Sequence, residues 1–169
     1  MFLKFPFISN LTVPNNKMSL SSDPNIKIRY TILTALVLFL IHVVFAITLF
    51  MIGIRHSLIE MKQASILFSI CAIAYVFSAM IIRTGRVSLG GWLMIITLAV
   101  GIPLISLFFV GFGWARLIAI PLLIIWIASQ ALSNDKLTWA IVIGVISGIA
   151  AFLIDKGFHL LKAFFHPRL

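Results

Sequence analysis

Acidic side chains are nearly missing: Asp23, Glu60, Asp135 and Asp155 are the only four in 169 residues, and each falls in a different segment. Such scatter offers no paired carboxylates for acid–base work. Cysteine is reduced to Cys71, so no intrachain disulfide can form, and the redox compartment is not legible from it. Placed inside an apolar run, that cysteine is expected to pack as a small hydrophobe. There is no His-rich ligand spacing, no glycine-rich phosphate loop followed by lysine, and no nucleophile elbow. An enzyme is not expected, and no cofactor or metal is implied.

What the chain has instead is apolar sequence in long runs. Hydrophobic residues make up 62% and charged residues 10%, against roughly 45–50% and 25% in soluble domains. So few charges could not keep that much apolar side chain in water, so lipid is the expected solvent. The net charge of +9 would suit nucleic acid, but its placement does not. Lys27 and Arg29, Arg55, Lys62, Arg83 and Arg86, Arg116, Lys136 and Lys156 sit singly or in pairs at the ends of apolar runs. No basic stripe is interleaved with base-stacking aromatics. Cations so placed anchor helices and attract anionic headgroups. The expected partner is therefore the bilayer, and not nucleic acid.

The runs predict an all-α integral membrane protein: a five-transmembrane-helix bundle with a short C-terminal amphipathic helix. Residues 1–28, broken by Pro6, Pro14 and Pro24, read as a polar mobile tail; they lack the apolar core and small-residue cleavage pattern of a signal peptide. The transmembrane domain is 29–157, with spans at about 30–54, 64–82, 89–110, 114–132 and 137–154. Each is long enough for a hydrocarbon core of about 30 Å at about 1.5 Å per residue. Arg55, His56, Glu60 and Lys62 are assigned to the first loop, and Gly111-Phe112-Gly113 to a tight turn. Open strands are excluded because lipid would leave their backbone groups unpaired. In 158–169, Phe158, Leu161 and Phe165 recur at helical spacing opposite His159, Lys162 and His166, which predicts an interfacial amphipathic helix.

Five spans put the chain ends on opposite sides. Lys4, Lys17, Lys27, Arg29, Arg83, Arg86 and Lys136 fall on the N-terminal side, nearly balanced by Arg55, Lys62, Arg116, Lys156, Lys162 and Arg168 on the other. The flank of the first span tips the positive-inside rule toward a cytoplasmic N terminus.

His42 is the one ionisable side chain deep in a span, and so a candidate intramembrane polar site. Helical rotation puts it within about 20° of Thr31, on a weakly polar face. A metal or haem would need a second ligand at similar depth, and His56 lies about 21 Å farther along the helix. A neutral imidazole bonded to a neighbouring helix is the expectation, with a ligand or proton-relay role as the alternative. Gly144 and Gly148 form a GxxxG pair, extended by Ala140, suited to close helix packing within the chain or in a homodimer. Gly101 with Pro103, and Pro121, could break helices around a substrate, as in some transporters, or simply kink them. Tyr30, Trp92, Trp114 and Trp139 fall near span ends, where such rings anchor at the interface.

From Ile82 onward the chain resembles the multi-span membrane input region of bacterial sensor histidine kinases and diguanylate cyclases. The likeness is carried by Arg83-Thr84-Gly85-Arg86, by Leu89-Gly90-Gly91-Trp92 opening a span, by the turn at Gly111 to Gly113, and by a Gly-rich last span ending at Asp155. Phe164 to Leu169 resembles the connector into a further span. The resemblance implies a sensory or signalling input module in the bacterial inner (cytoplasmic) membrane, one that homodimerises. With no kinase or cyclase sequence before Leu169, the chain is expected to be such an input without its output domain. The alternatives are an accessory structural subunit of a larger membrane complex and, third, a small transporter.

Overall fold

The computed structural model describes residues 24–109 and 113–165, with side chains between Asn25 and Gly157. The helices are α1 (Pro24–Arg55), α2 (Ile59–Arg83), α3 (Val87–Ser106), α4 (Gly113–Ala131) and α5 (Asn134–Phe165). All five are long and apolar enough to cross a membrane. No strand occurs among the described residues.

Helix ends depart from the hydropathy boundaries because hydropathy marks what suits lipid, and helices need no lipid to continue. α1 starts at Pro24, inside the predicted tail: proline suits the first helical position, where its missing N–H is not needed. α2 starts at Ile59, so Glu60 and Lys62 belong to its first turn rather than to a loop. α3 stops at Ser106, short of the expected Val110. α5 runs unbroken through Gly157 to Phe165, so the backbone of 158–165 continues the last span rather than forming a separate helix. A lone glycine costs a helix only about 1 kcal/mol. The tail up to Asp23, the turn residues Val110 to Phe112, and His166 to Leu169 lie outside the described residues.

The connections are tight. After α1, Leu58 N–H donates to Gly53 O (3.0 Å) and Ser57 N–H to Ile54 O (3.4 Å), the paired bonds that close a helix through a left-handed residue. That residue is Ser57, at φ 54°. After α2 the left-handed position is Gly85, at φ 86°, where lack of a Cβ removes the strain. Such short turns make successive helices antiparallel.

Among the described residues, α3 touches all four other helices; α1 also meets α4, and α2 meets neither α4 nor α5. Glycine makes this centrality feasible. A methyl at Gly90 would collide with Ile82 of α2, and one at Gly91 with the Ala131 side chain of α4. α4 and α5 run in register from Gly144 against Pro121, through Gly148 against Leu117, to the Phe152 and Trp114 rings, 4.7 Å apart. Gly144 and Gly148 are thus both buried inside the chain.

The two intrahelical prolines explain part of this packing. Pro103 has no N–H, so the carbonyl four residues earlier, Ala99, loses its helical donor. Ser147 Oγ of α5 donates to Ala99 O at 2.7 Å. Pro121 likewise frees Leu117 O, and a Cβ at Gly148 would stand only 3.0 Å from that oxygen. The adjacent pair Ser147-Gly148 therefore covers both freed carbonyls, one by a hydroxyl and one by close backbone approach. Both helices continue through their prolines; neither is broken around a polar cavity.

Only 28–39% of each helix's most apolar stretch is buried inside the molecule. Outward-facing Leu33, Leu40, Ile47, Ile66, Ile118 and Leu153 leave an apolar exterior. The packed interior is formed by Tyr75, Ile82, Met94, Ile95, Ile124 and Ile127, with Cys71 among them.

Candidate functional site: a one-sided groove between α1 and α4

The α1–α4 seam is closed at one end and open at the other. At the closed end, Lys27 Nζ donates to Leu132 O (3.4 Å), the last carbonyls of α4 being natural acceptors for a cation. Deeper along the seam, Thr34 Oγ1 lies 2.9 Å from Gln130 Oε1 and 3.0 Å from Tyr30 O. Its single proton serves one of them at a time. Beyond this tie the helices part.

The gap holds two adjoining cavities that share Phe45, Ile102 and Leu123. The inner, of about 320 Å³, is lined by Val37, His42, Phe68, Leu98 and Trp126 among others. The outer, of about 450 Å³, is lined by Leu49, Phe109, Ala115, Arg116 and Ala119. Their size suits small-molecule ligands, roughly 300–1,000 Å³. Ala115 and Ala119, one turn apart on α4, supply the width. Trp114, Ile118 and Leu122 instead face outward.

His42 sits on the wall of the inner cavity, buried on the same α1 face as Thr31, Thr34 and Ala35. Its Nδ1 is 2.8 Å from Leu38 O. A carbonyl can only accept, so Nδ1 carries a proton, and in the neutral ring Nε2 is then an acceptor. The expected bond to a neighbouring helix is thus replaced by one to its own helix, because the carbonyl four residues back is within reach. Contact with α2 is made by rings instead: Tyr75 at 4.9 Å and Phe68 at 5.5 Å between centroids. No group of three His, Cys, Asp or Glu side chains that could hold a metal occurs among the described residues.

Two features were not read from the sequence. Tyr75 is fully buried, and its hydroxyl has no hydrogen-bond partner among the described residues; a lone tyrosine in an apolar run gives no sign of which way it faces. Arg116 and Asp155, read as span-end charges, act on each other electrostatically across α4 and α5. Asp155 is only 4% exposed, so this carboxylate is a built-in counter-charge rather than a surface anchor. The α4–α5 register places them together, and no local sequence signal does.

Comparison with models of known protein families, with curated proteins and with solved structures gives no match. The groove, its polar tie and its Arg116 end are what carry a functional reading.

Proposed function

We propose that the chain is a multi-pass protein of the bacterial cytoplasmic membrane, N terminus cytoplasmic, acting as a sensory or signalling input module. The observation behind this reading is the asymmetric α1–α4 seam, pinned by Lys27 and Thr34 and cavity-bearing toward Arg116. A bundle seam tied at one end and loose at the other is an element with two accessible arrangements, which an occupant can bias. α4 packs along α5, and α5 extends past its apolar stretch to Phe165 at the open end of the seam. A change in the gap therefore has a rigid element to move. The mainly apolar lining of both cavities favours this over carriage of a polar solute.

Spin-label distances test the reading in a Cys71→Ala background. Labels at Thr48 and Ile118 report the open end, and labels at Tyr30 and Ser129 the pinned end. The open-end pair should give a broad or two-component distribution that shifts with membrane composition, while the pinned pair stays narrow. Equally narrow, condition-independent distributions at both ends would sink it.

A further inference from the structure

We infer that the α1–α4 groove is a binding site for one acyl chain of an anionic membrane phospholipid, with the headgroup at the Arg116 end. The inference rests on the input-module reading and names the class of molecule that the groove would take.

Depth is the first argument. From Arg116 to Trp126 the groove follows α4 for about 15 Å at about 1.5 Å per residue. That is about half of a 30 Å hydrocarbon core, the reach of a chain from one leaflet. The polar tie of Thr34 and Gln130 ends the groove there.

Width is the second. Over the roughly 12 Å of α4 from Ala115 to Leu123, the outer cavity's 450 Å³ corresponds to a cross-section of about 38 Å². A helix about 10 Å across needs about 80 Å². The space suits an alkyl chain better than it suits a helix of a second copy.

Charge is the third. The apolar trough has a lysine or arginine in its lining at one end only: Arg116 lines the outer cavity, and no lysine, arginine or carboxylate lines the inner one. Asp155 acts on Arg116 and offsets one positive charge, and Lys156 follows it along α5, its Nζ 5.9 Å from the Phe152 ring centroid. Arg116, Asp155 and Lys156 together leave one net positive charge at this end of α4 and α5. A phosphate fits that end, and a neutral or cationic head gains nothing from it.

The test uses the full chain, purified in a mild nonionic detergent and offered an equimolar mixture of phosphatidylglycerol and phosphatidylcholine, with retained lipid counted by native mass spectrometry. Wild type should keep one phosphatidylglycerol about tenfold in preference to phosphatidylcholine. Ala119→Trp, which fills the groove from a non-core position, should lose it. Leu122→Trp, equal bulk on the outward face, should keep it. Arg116→Gln with Asp155→Asn, which leaves no stranded carboxylate, should keep a lipid but lose the headgroup preference. If Ala119→Trp does not fold, Ala115→Phe takes its place. Equal retention of both lipids by wild type, or retention unaffected by filling the groove, overturns the inference. Preferential retention of added oleate over phosphatidylglycerol overturns it too, in favour of a free fatty acid. Lipid retention is read without any signal, whereas the spin-label distances involve no added lipid preference. Failure here with a two-component open end removes the lipid and leaves the module.

Discussion

Tyr75 places a hydroxyl where none of the described residues receives it. An unpartnered buried polar group costs about 1–3 kcal/mol, so Tyr75→Phe should leave stability unchanged or raise it by about 1 kcal/mol. Thermal unfolding in detergent checks this; a clear loss would mean that the hydroxyl is held by water. The proline carbonyls make a sharper case. Ser147→Ala should cost about 1 kcal/mol by stranding Ala99 O, and the loss should vanish beside Pro103→Ala, which restores the helical donor. A double-mutant cycle reads the coupling, and additive losses would separate Ser147 from Pro103. Gly148→Leu should destabilise by about 1–3 kcal/mol through overpacking against Leu117 and Pro121. Because that contact is internal, the loss should not vary with protein concentration, as a dimer contact would.

At the scale of elements, the sequence showed which stretches are helical far better than where they end. Apolar runs report burial or lipid exposure, while helix ends follow backbone bonding at Pro24, Ser57 and Gly85. The α1–α2 turn holds Ser57 at φ 54° only because the bonds of Leu58 and Ser57 close the helix. Ser57→Gly should therefore stabilise by about 0.5–1 kcal/mol, seen as a higher melting temperature; no gain would show that the left-handed position is unstrained. The seam between α1 and α4 was not legible at all. Neither helix carries a marker for its partner, and the deciding side chains, Gln130, Ala115 and Ala119, look like ordinary occupants of an apolar run.

For the whole molecule, five crossings would give a chain whose first and second turns face opposite sides. In a Cys71→Ala background, cysteines replacing His56 and Thr84 should be labelled from opposite sides of sealed vesicles by an impermeant maleimide. Labelling from one side would break the proposed topology. The input-module reading also expects a small homo-oligomer on native gels, whereas stable co-migration with unlike subunits would favour the accessory-subunit alternative. Since Gly144 and Gly148 are used within the chain, a homodimer would have to form on another face, such as the exposed apolar side of α1.

Composition and run length by themselves determined the class of fold: few charges and five long apolar segments leave helices as the economical way to pair every backbone group. They also marked His42, Gly144 and Gly148 as unusual for their surroundings. Their partners were decided only in three dimensions. His42 turned to its own helix and to Tyr75, the glycines met Pro121 and Leu117, and Arg116 came beside Asp155. The physical reason is that hydropathy constrains each helix against its solvent, one at a time. Which helix lies beside which depends on small complementarities, a missing methyl or a freed carbonyl, that exist only between segments far apart in the chain.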